Sequence, residues 1–139
     1  ADGPPPAVAR IEEVLARCGL AHFFAWLDEV ERWDRLLAAG ELQRLGIARA
    51  ILDAPDLVLL DEALGSLDQA AAAELLAALR RELPGVAILT LAQRADLAPL
   101  HDRELRLEPG PDGALLRPHP APSRPLAGLA LPLPARGAA

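Results

Sequence analysis

The sequence predicts an α/β fold, and three observations predict it. The apolar run Leu57-Val58-Leu59-Leu60 is bounded by Pro55-Asp56 and Asp61-Glu62, the pattern of a strand buried on both faces of a parallel sheet. A second apolar run, Val86 to Leu91, follows it across an Ala/Leu-rich helical stretch that Asp68 caps and Pro84-Gly85 stops. Along the chain the order reads helix, strand, helix, strand, helix, strand, which is α/β architecture.

Each element has its own signal. Residues 1 to 6 are a Pro-rich lead-in, and Ala7 to Leu20 reads as an amphipathic helix with Val8, Ile11, Val14, Leu15 and Cys18 on one stripe and Gly19 at its stop. The apolar Phe23 to Leu27 leads into Asp28 to Arg35, whose polarity suggests an exposed connection although it contains Trp33. Gly40 and Glu41 open a helix to about Leu52, with Leu45, Ala48, Ile51 and Leu52 as its buried side, ended before Pro55 because the residue preceding a proline disfavours the helical region. After the second strand, Arg94 to Leu100 reads as a short helix and Glu104 to Glu108 as an alternating strand. Pro109-Gly110-Pro111-Asp112-Gly113 is a turn, and Ala114 to Arg117 returns as a short edge strand. Eight of the 14 prolines lie from Pro109 onward, so residues 118 to 139 are expected to be a disordered, Pro-rich tail.

Composition excludes several classes of function. The 139 residues suffice for one domain or part of one, and 52% hydrophobic with 24% charged residues is enough apolar surface to offset the entropy of ordering. A net charge of -6 argues against a nucleic-acid partner, because phosphate binding draws on Lys and Arg. All 14 basic residues are Arg; the chain has no Lys. Cys18 is the single cysteine, so neither an internal disulfide nor a thiolate zinc cluster can form, which fits a reducing compartment. No run reaches the roughly 20 apolar residues of a membrane helix, the nearest being Leu126 to Leu133 with Pro132 inside it. The absence of any Met, position 1 included, leads us to expect a piece of a longer chain.

The stretch that carries chemistry is Leu37-Ala38-Ala39-Gly40-Glu41-Leu42-Gln43-Arg44, then Ala54-Pro55-Asp56, then Leu57-Val58-Leu59-Leu60-Asp61-Glu62, then Ser66-Leu67-Asp68. A strand buried along Leu57 to Leu60 delivers Asp61 and Glu62 at its carboxyl end, where open α/β sheets bind ligands. Taken alone, these acids could equally be a solvated turn, and Gly40-Glu41 simply a helix start. A glycine at a helix N-terminus also lets backbone N–H groups approach a phosphate.

Together these motifs, in this order and spacing, resemble an ABC ATPase, whose signature reads LSxGExQR and whose Walker B strand ends in Asp-Glu before a D-loop of the form S/A-x-L-D. The resemblance covers about Ala7 to Glu108, the second half of such a domain, and implies a partial P-loop NTPase fold. Residues 7 to 55 would then hold part of the helical subdomain with the signature helix. Residues 56 to 117 would hold the Walker B, D-loop and switch region. It further implies ATP and Mg²⁺ as ligands, with Asp61 on the metal, Glu62 as general base, and Ala38, Ala39, Gly40, Glu41 and Asp68 on the nucleotide side. Trp33 upstream of the signature resembles the branch of SbmA/BacA-like peptide transporters and peroxisomal fatty-acyl transporters.

Three departures from the family pattern bear on activity. Ala38 stands where the family has Ser and loses a phosphate donor, at about 1 to 3 kcal/mol. Gln93 stands at the switch-histidine position; it can donate to a phosphate but cannot carry a positive charge near neutral pH. A P-loop, GxxxxGK followed by Ser or Thr, needs a lysine that this chain lacks, so the P-loop half is expected to be absent and the chain alone inactive. His101 matches the family's His-Asp-Arg segment and reads as structural, while His22 and His119 belong to no recognisable constellation. The expected parent couples ATP hydrolysis to transport at the cytoplasmic face of the cell membrane, through a head-to-tail dimer with a second ATPase domain and a transmembrane transporter domain. A soluble ABC ATPase of DNA repair or translation, and a degenerate non-catalytic interaction module, are the alternatives.

Overall fold

The computed structural model describes residues 6–111 and 113–119, so the expected disorder of the tail beyond residue 119 falls outside the described residues. Two compact units meet in sequence between Gln93 and Arg94. In the first, helix α1 spans Val8–Arg17 and buries Val14 and Leu15, with Cys18 wholly buried just beyond it. Val8 of the expected stripe is 63% exposed, because it lies in the first turn, ahead of the part of the helix that meets the core. Gly19 ends the helix at φ 75°, a left-handed conformation that glycine adopts without penalty.

The segment expected to be an exposed connection, Asp28 to Arg35, is exposed except at Trp33, with short helices before it and at its end. Ala21–Trp26 forms a 3-10 helix and Trp33–Leu36 a one-turn helix, α2. Trp33 is half-buried, meeting Phe23 edge-on at 6.1 Å and Trp26 at 6.3 Å between ring centroids. These ring contacts join the connection to the preceding 3-10 helix.

Helix α3 runs Ala39–Asp53 and buries Ile47, Ala48 and Ile51. Leu45 and Leu52, expected inside, are only half-buried, and Ile47 takes their place. Strand β1, Leu57–Asp61, pairs in parallel with β2, Ala87–Leu91, in the register Leu57↔Ala87 to Asp61↔Leu91. Between them helix α4, Gln69–Glu82, begins where the Asp68 carboxylate accepts the Ala71 N–H at 2.8 Å and buries seven residues from Ala72 to Leu79. The two strands and the intervening helix form one βαβ unit. Arg10 and Arg17 of α1 both donate to Glu82, whose side chain is 5% exposed, fastening α1 to the end of α4.

The sheet corrects one expectation. Val58 and Leu60 are buried, but Leu57 and Leu59 on the other face are 58% and 60% exposed, and Leu89 and Leu91 beside them are about half exposed. The strand is therefore covered on one face only among the described residues. An apolar run does not record which face is covered, since both faces carry the same kind of side chain.

In the second unit, a 3-10 helix Ala95–Leu100 buries Leu97, and His101 Nδ1 bonds the Leu97 carbonyl at 2.9 Å, a structural role as the sequence suggests. Strands β3, Glu104–Gly110, and β4, Gly113–His119, form an antiparallel hairpin closed by Gly110↔Gly113. Both are longer than the alternation implies, and β4 reaches two residues into the segment expected to lack secondary structure. Gly113 at φ 128° allows the tight reversal that makes this possible.

Candidate functional site

Two groups of sequence-predicted residues come together in the first unit. One lies at the carboxyl ends of the paired strands. Asp61 is the last residue of β1, opposite Leu91, and Glu62 follows it with its N–H donating to the Leu91 carbonyl at 2.9 Å. Gln93 lies two residues beyond the same Leu91. All three are exposed, so the pairing of two strands is what gathers two carboxylates and an amide at one edge of the sheet. Glu62 is held at φ 48°, and the Gly65 N–H donates back to its carbonyl at 3.0 Å.

The second group surrounds the start of α3. Ala38 is its N-cap residue, in extended conformation, with Ala39, Gly40 and Glu41 as the first turn. Glu41 reaches back so that one carboxylate oxygen accepts the Ala38 N–H at 2.9 Å, one half of a capping box; the Ala38 methyl cannot return the other half. Gly40 packs so closely that a Cβ would lie 3.2 Å from Leu67 Cδ2. Glycine here therefore has a packing reason in addition to any approach of a phosphate.

Gln43 and Ser66 make the connection between the helix and the turn after β1. The Gln43 amide donates to Ser66 Oγ at 3.2 Å and its oxygen accepts the Ser66 N–H at 3.1 Å. Both lie in the motifs, and only their folded proximity reveals the pairing. His22 is a second case. It belongs to no sequence motif, yet its Nε2 lies 3.1 Å from Glu41 Oε1. The separation of 19 residues left no local signal to find. Asp68 has one oxygen committed to capping α4, which limits what else it can hold.

The charges are consistent with these contacts. The Ala38 N–H, and after it the His22 ring, hold the Glu41 carboxyl below its ordinary value of 4.5. Burial pushes the Cys18 thiol up to about 11, so it is inert as a nucleophile.

The donors present fit a magnesium ion in part. Mg²⁺ is held by one or two carboxylates and completes its octahedron with water and phosphate oxygens, so Asp61 with Glu62 beside it suits one side of such a site. No group of three or more His, Cys, Asp or Glu side chains is poised for a metal among the described residues, so phosphate oxygens would have to complete the shell. For the phosphates themselves the chain offers backbone N–H groups and no lysine.

A family model described as "ABC transporter" matches residues 6–65, the stretch from α1 through the start of α3 to the Asp61-Glu62 turn. The similarity is to ABC transporter ATP-binding domains. An uncharacterised ABC transporter ATP-binding protein of Haemophilus influenzae is 32% identical over 74% of this chain and 18% of its own length. The aliphatic sulfonates import ATP-binding protein SsuB of Rhodopseudomonas palustris is 37% identical over 78% of the chain and 37% of its own. ABC transporter D family member 2, chloroplastic, of Arabidopsis thaliana is 31% identical over 76% of the chain and 17% of its own. The chain thus spans between about a sixth and two fifths of these relatives. The matched stretch lies within a mixed helix and strand fold, and among the described residues no helix is long and apolar enough to cross a membrane.

Proposed function

We propose that this chain is the C-terminal half of an ABC-type nucleotide-binding domain, lacking the P-loop half, whose parent couples ATP hydrolysis to membrane transport. The observation that carries the reading is the joint placement of Asp61, Glu62 and Gln93 at the ends of β1 and β2, with the α3 start tied to the next turn through Gln43 and Ser66. A solvated acidic turn would not need that second connection.

In this reading Asp61 binds Mg²⁺, which neutralises phosphate charge when bound. Glu62 orients a water and takes its proton, and Gln93 donates a hydrogen bond to the terminal phosphate. The Ala39 and Gly40 backbone presents N–H groups to a nucleotide held by a second ATPase domain in a head-to-tail dimer, while the Ala38 N–H stays on the Glu41 carboxylate. Glu41 holds that turn. Asp68 caps α4 with one oxygen and keeps its place on the nucleotide side of the turn after Ser66. A transmembrane transporter domain is the further partner, which would place the parent at the cytoplasmic face of the cell membrane.

The branch of SbmA/BacA-like and peroxisomal fatty-acyl transporters is proposed on the position of Trp33 just upstream of the signature segment. One pair of residues favours a second reading. Ala38 without a hydroxyl and Gln93 without a proton to exchange suit a non-catalytic module that binds nucleotide slowly hydrolysed or not at all.

The test joins a P-loop half from a relative to this chain. Glu62→Gln should abolish ATP turnover while ATP binding by calorimetry stays near its starting value, the pattern of a group acting in the transition state. Turnover unaffected by Glu62→Gln would remove the catalytic assignment. A completed domain that binds ATP without measurable turnover before mutation would favour the non-catalytic module.

A further inference from the structure

The segment Cys18 to His22 is attached to α3 at two points. Arg44 Nη1 donates to the Cys18 carbonyl at 3.0 Å, and His22 Nε2 faces Glu41 Oε1 at 3.1 Å. Residues 41 and 44 are neighbours on one side of a helix, so the two contacts form a short ladder one turn long. Gly19 allows it to close: a Cβ there would come 2.9 Å from Arg44 Nη1. The His22 ring is itself oriented by Phe23, 4.1 Å away between centroids, and Phe23 in turn by Trp33.

The upper rung of this ladder bears on the Ala38 cap. Ala38 has no oxygen with which to cap α3, so the turn depends on the Glu41 carboxylate accepting the Ala38 N–H. A glutamate on the first turn of a helix is free to rotate toward water unless its second oxygen is also engaged. Here that oxygen faces His22. A carboxylate only accepts, so Nε2 carries the proton and donates.

We propose that His22 is a positioning residue for the Ala38 to Gly40 turn, holding Glu41 in the orientation that keeps the surviving half of the capping box, its carboxylate on the Ala38 N–H. The functional value of that turn rests on the nucleotide reading given above, but its positioning can be measured without nucleotide. A failure of one therefore leaves the other standing.

The experiment is amide hydrogen exchange by NMR on the full 139-residue chain, with no nucleotide added. The readout is the exchange rate of the Ala38 amide divided by that of the Leu60 amide in the same sample, because a general loss of stability speeds the Leu60 amide at least as much and so cannot by itself raise the ratio. His22→Phe keeps a ring against Phe23 and deletes the donor; His22→Gln restores a donor without the ring. Glu41→Ala and His22→Phe should each raise the ratio by about threefold to tenfold, and His22→Gln should stay within about twofold of wild type. A ratio left unchanged by His22→Phe would overturn the proposal. So would a His22→Gln ratio equal to that of His22→Phe, because the ring's shape, and not its hydrogen bond, would then be what holds the turn.

Discussion

Gly40→Ala separates the two reasons for a glycine at the start of α3. The added Cβ would lie 3.2 Å from Leu67 Cδ2 and 3.8 Å from the Ser66 carbonyl oxygen. Only the first contact is tight, and it meets the end of a movable side chain. Turning Leu67 away from its preferred rotamer costs about 0.5 to 1.5 kcal/mol. Against this, alanine is better than glycine in a helix by about 1 kcal/mol. The two effects nearly cancel, so urea unfolding of the chain, followed by Trp26 and Trp33 fluorescence, should change by no more than about 1 kcal/mol. Turnover should respond far more strongly. In a domain completed with a P-loop half, a methyl group at the point where backbone approaches phosphate should lower ATP hydrolysis by about 100-fold, as loss of one oriented donor does elsewhere. A stability loss above about 2 kcal/mol with turnover intact would refute the argument. It would mean that Gly40 serves the contact with Leu67 alone.

The remaining predictions concern caps, charge and surface. Asp68→Ala removes the acceptor of the Ala71 N–H and should lower the urea-unfolding free energy by about 1 kcal/mol. Glu41 has a carboxyl held below 4.5 in the fold, so its contribution is fully present above that value and is lost as pH falls through the lower folded value. Urea midpoints measured from neutral pH down past 4.5 should therefore fall less steeply for Glu41→Gln than for wild type; parallel curves would show that the carboxylate contributes nothing. The double change Leu59→Gln with Leu89→Gln alters two exposed side chains on the bare face of the sheet, and should reduce concentration-dependent self-association in sedimentation velocity without lowering stability. Association unaffected by both changes would place the sticky surface elsewhere.

What the sequence made legible divides along physical lines. Local signals held: Asp68 before an Ala/Leu-rich run became a cap with its hydrogen bond in place, and Gly19 stopped α1 in a left-handed conformation. These depend on residues a few positions apart. Apolar periodicity located β1 and β2 but did not reveal that Leu57 and Leu59 stay uncovered, because coverage depends on what lies across the sheet. In α3 the shift from Leu45 and Leu52 to Ile47 has the same origin, since the helix is apolar over a broad arc and its partners choose the buried side. For the candidate site, the motifs named Asp61, Glu62 and Gly40 directly. His22 and the Gln43 to Ser66 pairing were invisible for the opposite reason: each joins residues about 20 positions apart, and no pattern in the chain records a contact that only folding creates.

The backbone of Glu62 carries a consequence for how the site can be probed. At φ 48° a residue with a Cβ sits in a conformation that costs roughly 1 to 2 kcal/mol, and hydrogen bonds from its own N–H and to its carbonyl hold it there. Glutamine, with the same unbranched stem as glutamate, inherits that torsional burden, whereas Asn or Asp would ease it and a β-branched residue would add to it. A swap to glutamine thus alters acid–base character while the main chain's energy stays constant, whereas glycine would erase the carboxylate and relax the turn together. A glycine variant with lost turnover and a raised melting temperature would mix two origins in one measurement. At this position the isosteric amide is the substitution whose effect has a single chemical meaning.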